Sequence, residues 1–264
     1  MKTLKYIILG IIQGLTEPLP ISSSAHMIFI NHYLGITTLD LTTEVFINFA
    51  STLAIFIFFF KDIKTLIINT FTNNNTHELN RSYSIKLIIA SIPTIIIGFL
   101  FKDIIDKYYL SFLSSSIMLL FTGVFLLYSI YLLHTVKTPR SNEISTTKAL
   151  TIGIFQSIAL LPGLSRSGLT LTAGITNNNT IKSTLKFSFF MYLIASFGAF
   201  ILELSSINFY LIDWFNLMIS FIFSFITACI SIRWFYNKLN IKSLSFFMFY
   251  SFILGSINLL SHFI

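Results

Sequence analysis

Six apolar stretches in this chain, at 44–60, 84–101, 109–134, 184–204, 209–232 and 245–264, approach or exceed the length needed to cross a bilayer, which is about 20 residues. The first is slightly short and must borrow flanking residues. Polar composition leaves no soluble alternative. Only 10% of the 264 residues are charged and mean hydropathy is +0.81, whereas a soluble domain carries about 25% charged residues to cover its surface. No Gly/Ser/Pro-rich linker divides the chain, so it reads as one integral membrane domain spanning 1–264. Lys2 and Lys5 precede an apolar run that leads straight into Gln13 and Glu17 without a small-residue cleavage site, so these residues are expected in the mature protein.

Two further apolar runs are shorter. Residues 4–17 end at Glu17-Pro18-Leu19-Pro20, and residues 149–161 end at Pro162-Gly163. As helices of about 1.5 Å per residue they fall short of the roughly 30 Å hydrocarbon core. Each is followed by a serine-rich turn and another short apolar stretch. Broken helices at membrane depth survive only where protein or a water-filled cavity covers their backbone. The expectation is two re-entrant helical hairpins, at about 4–35 and about 149–180.

The hairpins resemble each other in one ungapped register. Gly10-Ile11-Ile12-Gln13 lies on Gly153-Ile154-Phe155-Gln156, and Ile21-Ser22-Ser23-Ser24-Ala25 lies on Leu164-Ser165-Arg166-Ser167-Gly168. The formal charge is +7, but Lys and Arg are scattered singly between apolar runs, which argues for a topology signal and against nucleic acid. Residues 61–86, 137–148 and 233–242 are net positive; 102–107 is balanced and 203–213 holds only Glu203 and Asp213. Because positive loops face the cytoplasm, the C-terminus is expected outside. Each half then holds one hairpin and three spans, an odd number of crossings that inverts the second copy. The fold class expected is all-α and polytopic: six transmembrane helices plus two hairpins, with inverted repeats at 1–140 and 141–264 and a site near the midplane where the broken helices meet. Lys2 and Lys5 would lie outside, against the charge rule. Cys229, inside an apolar run, reads as a packed thiol.

The hairpins also concentrate the polar groups. Gln13, Glu17, Ser22, Ser23, Ser24 and His26 lie in the first, and Ser165, Arg166, Ser167 and Thr170 in the second. Ionisable residues in membrane segments are expensive and usually functional. An Arg with clustered hydroxyls and amides at helix starts forms a phosphate receptor. A carboxylate such as Glu17 suits a hard divalent cation, and a hydroxyl beside a His is a nucleophile-and-base arrangement. Phosphoryl transfer on a substrate arriving from the lipid follows. The other reading is a secondary transporter or flippase, since inverted broken helices are common in that class.

GIIQGLTEPLPISSSAHMIF, TEVFINFASTLAI, SIPTIIIGFLF, LPGLSRSGLT and FSFFMYLIASFGA resemble the undecaprenyl-diphosphatase family of the bacitracin-resistance type. That resemblance implies hydrolysis of undecaprenyl diphosphate to the monophosphate carrier of peptidoglycan synthesis, in the bacterial cytoplasmic (inner) membrane, with the site open to the outer face. It implies Mg²⁺ or Ca²⁺ as cofactor. Carried over, Glu17 is the metal-binding or acid–base carboxylate, Ser23 the nucleophile, His26 the proton carrier and Arg166 the diphosphate clamp. Gln13, Ser22, Ser24, Ser165, Ser167 and Thr170 are the expected substrate-binding residues. The chain departs from the family at Ala25, where Gly is usual, at INFAS, where IQLGS is typical, and at Ile194, where Pro is common. The partners expected are the lipid substrate and membrane lipids, with a homodimer left open.

Overall fold

The computed structural model describes residues 2–35, 41–71, 78–101, 111–136, 138, 140–204 and 213–263. Within them lie eleven α-helices and no strand: α1 (Lys2–Thr16), α2 (Ser23–Leu34), α3 (Leu41–Phe58), α4 (Phe60–Phe71), α5 (Glu78–Leu100), α6 (Phe112–Thr135), α7 (Thr146–Ile158), α8 (Arg166–Thr176), α9 (Ile181–Leu204), α10 (Trp214–Lys238) and α11 (Ile241–Ser261). The expected loop 102–107 and the expected span ends at 109–110, 209–212 and 264 fall outside the described residues.

Five helices, α5, α6, α9, α10 and α11, are long and apolar enough to cross a membrane, and α3 with α4 makes a sixth if that bent pair is one span. The chain is therefore a multi-pass membrane protein. The first expected span differs in one respect. Helix does not end near residue 60 but turns by 72° and continues as α4 through part of the expected loop 61–86. Lys61, Asp62 and Lys64 follow a Phe-rich run, so the chain leaves the apolar layer there. With no residue buried, and Ile67, Ile68 and Phe71 exposed, α4 has the character of an interfacial amphipathic helix.

The turns are set by local chemistry. Ser22 caps α2 by accepting from the Ala25 amide at 3.3 Å, and Ser165 caps α8 by accepting from the Gly168 amide at 3.2 Å. The register that matches the sequences therefore also matches the caps. Ser22–Ser24 and Ser165–Ser167 hydroxyl pairs repeat at 3.2 and 3.3 Å. Gly35, left-handed at φ 57°, terminates α2.

Small residues draw the short helices against long ones. Gly10 and Gly14 of α1 face Ser220, Ser224 and Ala228 of α10, so closely that a methyl group at either glycine would overlap an α10 backbone oxygen. This is small-xxx-small packing, which brings membrane helices to backbone contact. Ser231 Oγ donates to the Leu15 carbonyl at 2.7 Å, beyond the end of the glycine contact. On α7, Gly153 meets the Ala90 carbonyl of α5 in the same manner. Ordered contacts from Gly10–Ser220 to Leu15–Ser231, and from Gly153–Ala90 to Gln156–Thr94, make α1 parallel to α10 and α7 parallel to α5.

Both N-terminal lysines are engaged. Lys2 pairs with Asp213 at 2.6 Å, and Lys5 Nζ donates to the Leu34 carbonyl at 2.5 Å, at the end of α2. The bonds from Lys2 and Asn216 hold the Asp213 carboxyl down to about 2. These two cations are thus committed to the ends of α10 and α2.

Candidate functional site

The α1–α2 turn and the α7–α8 turn meet. Ser167 Oγ donates to the Leu19 carbonyl at 2.9 Å, and the Gly163 amide donates to Ser24 Oγ at 3.4 Å. Between them and the flanks of α3, α5 and α9 opens a cavity of about 390 Å³. Glu17, Ser22, Ser23, Ser24, Ser165, Arg166 and Ser167 all line it. Residues 143 apart in sequence thus become the two sides of one site, with α2 starting at Ser23 and α8 starting at Arg166. Helix starts carry unpaired amides and positive dipole ends, which favour anions.

Glu17 is the hub. Its Oε2 accepts from Ser23 Oγ at 2.5 Å, from Gln13 Nε2 at 2.9 Å and from Asn48 Nδ2 at 3.0 Å. Its Oε1 accepts from Arg166 Nη2 at 2.8 Å. Glu17 is only 8% exposed. A buried carboxylate needs this compensation, because its hydration has been removed. Arg166 Nη1 is buried without a hydrogen-bond partner, so one arm of the guanidinium fork remains for an oxyanion.

Three expected residues do not line the cavity. Gln13 supports Glu17 from behind. Thr170 donates to the Arg166 carbonyl at 2.8 Å and pairs with Ser188 at 2.6 Å, so it braces the α8 start. His26 bonds the Ser22 carbonyl through Nδ1 and the Tyr250 hydroxyl through Nε2, both at 2.7 Å. A carbonyl only accepts, so Nδ1 carries the proton and Nε2 accepts from Tyr250. Both ring nitrogens are therefore occupied, and neither reaches Ser23. Ser22, whose carbonyl His26 holds, sits at φ 64°, a backbone conformation that costs a non-glycine residue about 1–3 kcal/mol. The strain lies beside Ser23.

Asn48 and Tyr192 belong to the site although motif spacing did not select them. Asn48 Oδ1 accepts from Tyr192 at 3.0 Å and from Ser196 at 3.1 Å, and the Arg166 guanidinium lies 3.8 Å from the centre of the Tyr192 ring. Their signal was helical spacing of polar groups inside apolar spans: Glu44, Asn48 and Thr52 on α3, Tyr192 and Ser196 on α9.

For a hard divalent cation the donors must be oxygens. The Glu17 and Glu44 carboxylates line the cavity, as does Gln156, whose Oε1 is buried without a partner. No group of three His, Cys, Asp or Glu side chains with metal-holding geometry occurs among the described residues. Such a donor set suits a cation shared with substrate oxygens rather than one caged by protein alone.

The profile of the family described as Bacitracin resistance protein BacA matches residues 6–257. Undecaprenyl-diphosphatase 1 of Bacillus cereus is 35% identical, over 97% of this chain and 97% of its own. Undecaprenyl-diphosphatase 3 of Bacillus anthracis is 35% identical over the same shares. Undecaprenyl-diphosphatase of Acholeplasma laidlawii is 36% identical over 98% of this chain and 97% of its own. With a match over residues 6–257 and relatives about a third identical along nearly their whole length, this chain belongs to the bacitracin resistance protein BacA family.

Proposed function

We propose that this protein hydrolyses undecaprenyl diphosphate to undecaprenyl phosphate and inorganic phosphate, recycling the lipid carrier of peptidoglycan synthesis and so conferring bacitracin resistance. The observation that carries this reading is the Ser23–Glu17–Arg166 arrangement at the meeting of two helix starts, in a chain about a third identical to undecaprenyl-diphosphatases over its whole length.

The diphosphate enters the cavity with its oxygens toward the starts of α2 and α8. Arg166 Nη1 and the hydroxyls of Ser22, Ser24, Ser165 and Ser167 surround it. Ser23 Oγ attacks the terminal phosphorus as Glu17 Oε2 takes its proton. The bond to the bridging oxygen breaks, and undecaprenyl phosphate leaves with the proton that Glu17 took. Water then attacks the serine-bound phosphoryl group as Glu17 takes a proton from it; the Ser23 Oγ–phosphorus bond breaks, inorganic phosphate leaves, and Glu17 returns that proton to Ser23 Oγ. Arg166, bonded to Glu17 on one arm, meets the growing phosphoryl charge with the other, where a preorganised donor acts most strongly. A divalent cation, Mg²⁺ or Ca²⁺, belongs to the proposal. Glu17, Glu44 and Gln156 would hold it with the diphosphate oxygens, and it would neutralise phosphate charge.

The two halves are proposed as inverted repeats, 1–140 and 141–264, each with a re-entrant hairpin. Matching caps at Ser22 and Ser165, and matching glycine contacts at Gly10 and Gly153, support that reading. The membrane is proposed to be the bacterial cytoplasmic (inner) membrane, with the site open to its outer face.

Purified protein in detergent micelles, given undecaprenyl diphosphate, should release inorganic phosphate. Micelles provide no second compartment, so transport yields no such signal. Absence of phosphate release across metal and detergent conditions would leave the transporter reading in its place.

A further inference from the structure

We propose that Tyr192 is a positioning residue for this hydrolysis, holding Arg166 and Glu17 at fixed orientation from a single side chain. The inference rests on the function proposed above. Four residues, one from the turn after α1 and three from α3, α8 and α9, close a ring. Tyr192 OH donates to Asn48 Oδ1 at 3.0 Å, Asn48 Nδ2 donates to Glu17 Oε2 at 3.0 Å, and Glu17 Oε1 accepts from Arg166 Nη2 at 2.8 Å. The Arg166 guanidinium returns to the Tyr192 ring at 3.8 Å. No other described aromatic ring approaches Arg166 as closely; Phe189 lies at 5.9 Å.

The chemistry of the ring explains its geometry. A guanidinium stacks on an aromatic face with its N–H groups left in the plane to bond outward. Stacking on Tyr192 therefore fixes that plane while one arm bonds Glu17 and the other stays available to phosphate. The tyrosine hydroxyl meanwhile orients the amide that supports the carboxylate. Thr52 pairs with the same hydroxyl at 2.8 Å, and Tyr192 is only 7% exposed, so its rotamer is locked by packing. Both charged groups are thus aimed from outside the reacting atoms.

Steady-state phosphate release from undecaprenyl diphosphate tests this, with unaltered protein measured alongside. Tyr192→Phe keeps the stack and loses the hydroxyl; kcat should fall by about two- to tenfold, the range of one hydrogen bond, with KM within twofold. Tyr192→Leu loses both functions, and kcat should fall about a hundredfold, the scale of a misplaced catalytic group. In an Asn48→Ala background, Tyr192→Phe should add little, because both changes break the same link. A merely structural tyrosine would give effects on kcat that multiply independently of Asn48. Protection of the folded protein by inorganic pyrophosphate, read as a thermal shift, reports on the Arg166 cradle without turnover and should be lost in Tyr192→Leu. Failure of the unaltered protein to release phosphate would overturn the function; Tyr192→Leu with kcat within twofold of wild type, or with undiminished pyrophosphate protection, would overturn the role of Tyr192.

Discussion

Ser23 Oγ lies 2.5 Å from Glu17 Oε2, and His26 bonds elsewhere through both ring nitrogens. The proton acceptor within reach of the serine hydroxyl is therefore a carboxylate. The Arg bonded to that carboxylate is also where the phosphoryl charge of the proposed reaction gathers. Ser23→Ala should lose about a hundredfold or more in kcat, and Glu17→Gln should match it, since one transition-state partner is worth about 10²–10³ in kcat. His26→Gln keeps an amide donor for the Ser22 carbonyl and should retain more activity than either. Phosphate release by the three variants checks the order; His26→Gln as inactive as Glu17→Gln would return the base role to His26.

Arg166 is asked to bond a carboxylate, stack on a ring and meet a phosphate at once. Lysine keeps the charge but has neither plane nor fork. Arg166→Lys should therefore be impaired by about a hundredfold or more in kcat/KM, on the order of 2.7–4 kcal/mol of lost transition-state stabilisation. Near-normal turnover would reduce Arg166 to a counter-ion for Glu17.

Oxygen donors from Glu17, Glu44 and Gln156 line one cavity, and the proposal adds a cation held partly by the substrate. Chelator should abolish phosphate release, and Mg²⁺ or Ca²⁺ should restore it. Glu44→Gln should raise the metal concentration needed for half-maximal activity. Full turnover in excess chelator would remove the metal from the mechanism.

Close helix contact makes specific glycines indispensable. Gly10→Ala and Gly153→Ala each place a methyl group against a backbone oxygen, so each should destabilise by about 1–3 kcal/mol, the usual cost of overpacking. At Gly198 nothing lies within 4 Å of an added methyl, and Ala there should be neutral or stabilising by about 0.5–1 kcal/mol, as for a mid-helix glycine. Thermal unfolding midpoints in detergent give the comparison. Equal shifts at all three positions would contradict the packing.

The proposed orientation rests on charge placement. In a Cys229→Ser background, cysteines at Ser141 and Asn237 should be shielded from an impermeant thiol reagent in intact cells, and one at Ser261 should react. Ser22→Cys, lining the cavity, should react slowly from outside and be protected by substrate. The reverse pattern at Ser141 and Ser261 would invert the protein and close the site to the outer face.

Much of this protein is determined by the order of its residues alone. Long apolar runs with few charges must cross a membrane, because nothing else satisfies their backbone and buries their side chains. Proline after a run too short to span, followed by serine caps, forces broken helices, and the register of Gly10 on Gly153 and Ser22 on Ser165 is legible in the sequence alone. So is the clustering of Glu17, Ser23 and Arg166 at the two turns. Other features needed three dimensions. The 72° turn after Phe58 depends on where Lys61, Asp62 and Lys64 leave the apolar layer relative to neighbouring helices. Gln13, His26 and Thr170 share the motifs of the site yet stand behind it, because each lies one turn, about 5.4 Å along a helix axis, from Glu17, Ser22 or Arg166, and is buried in the packing beneath the turns. Asn48 and Tyr192, 144 positions apart, meet only when α3 and α9 pack together. A carboxylate moved out of water must find its donors wherever the fold supplies them, and sequence spacing within one element carries no record of a partner contributed by another.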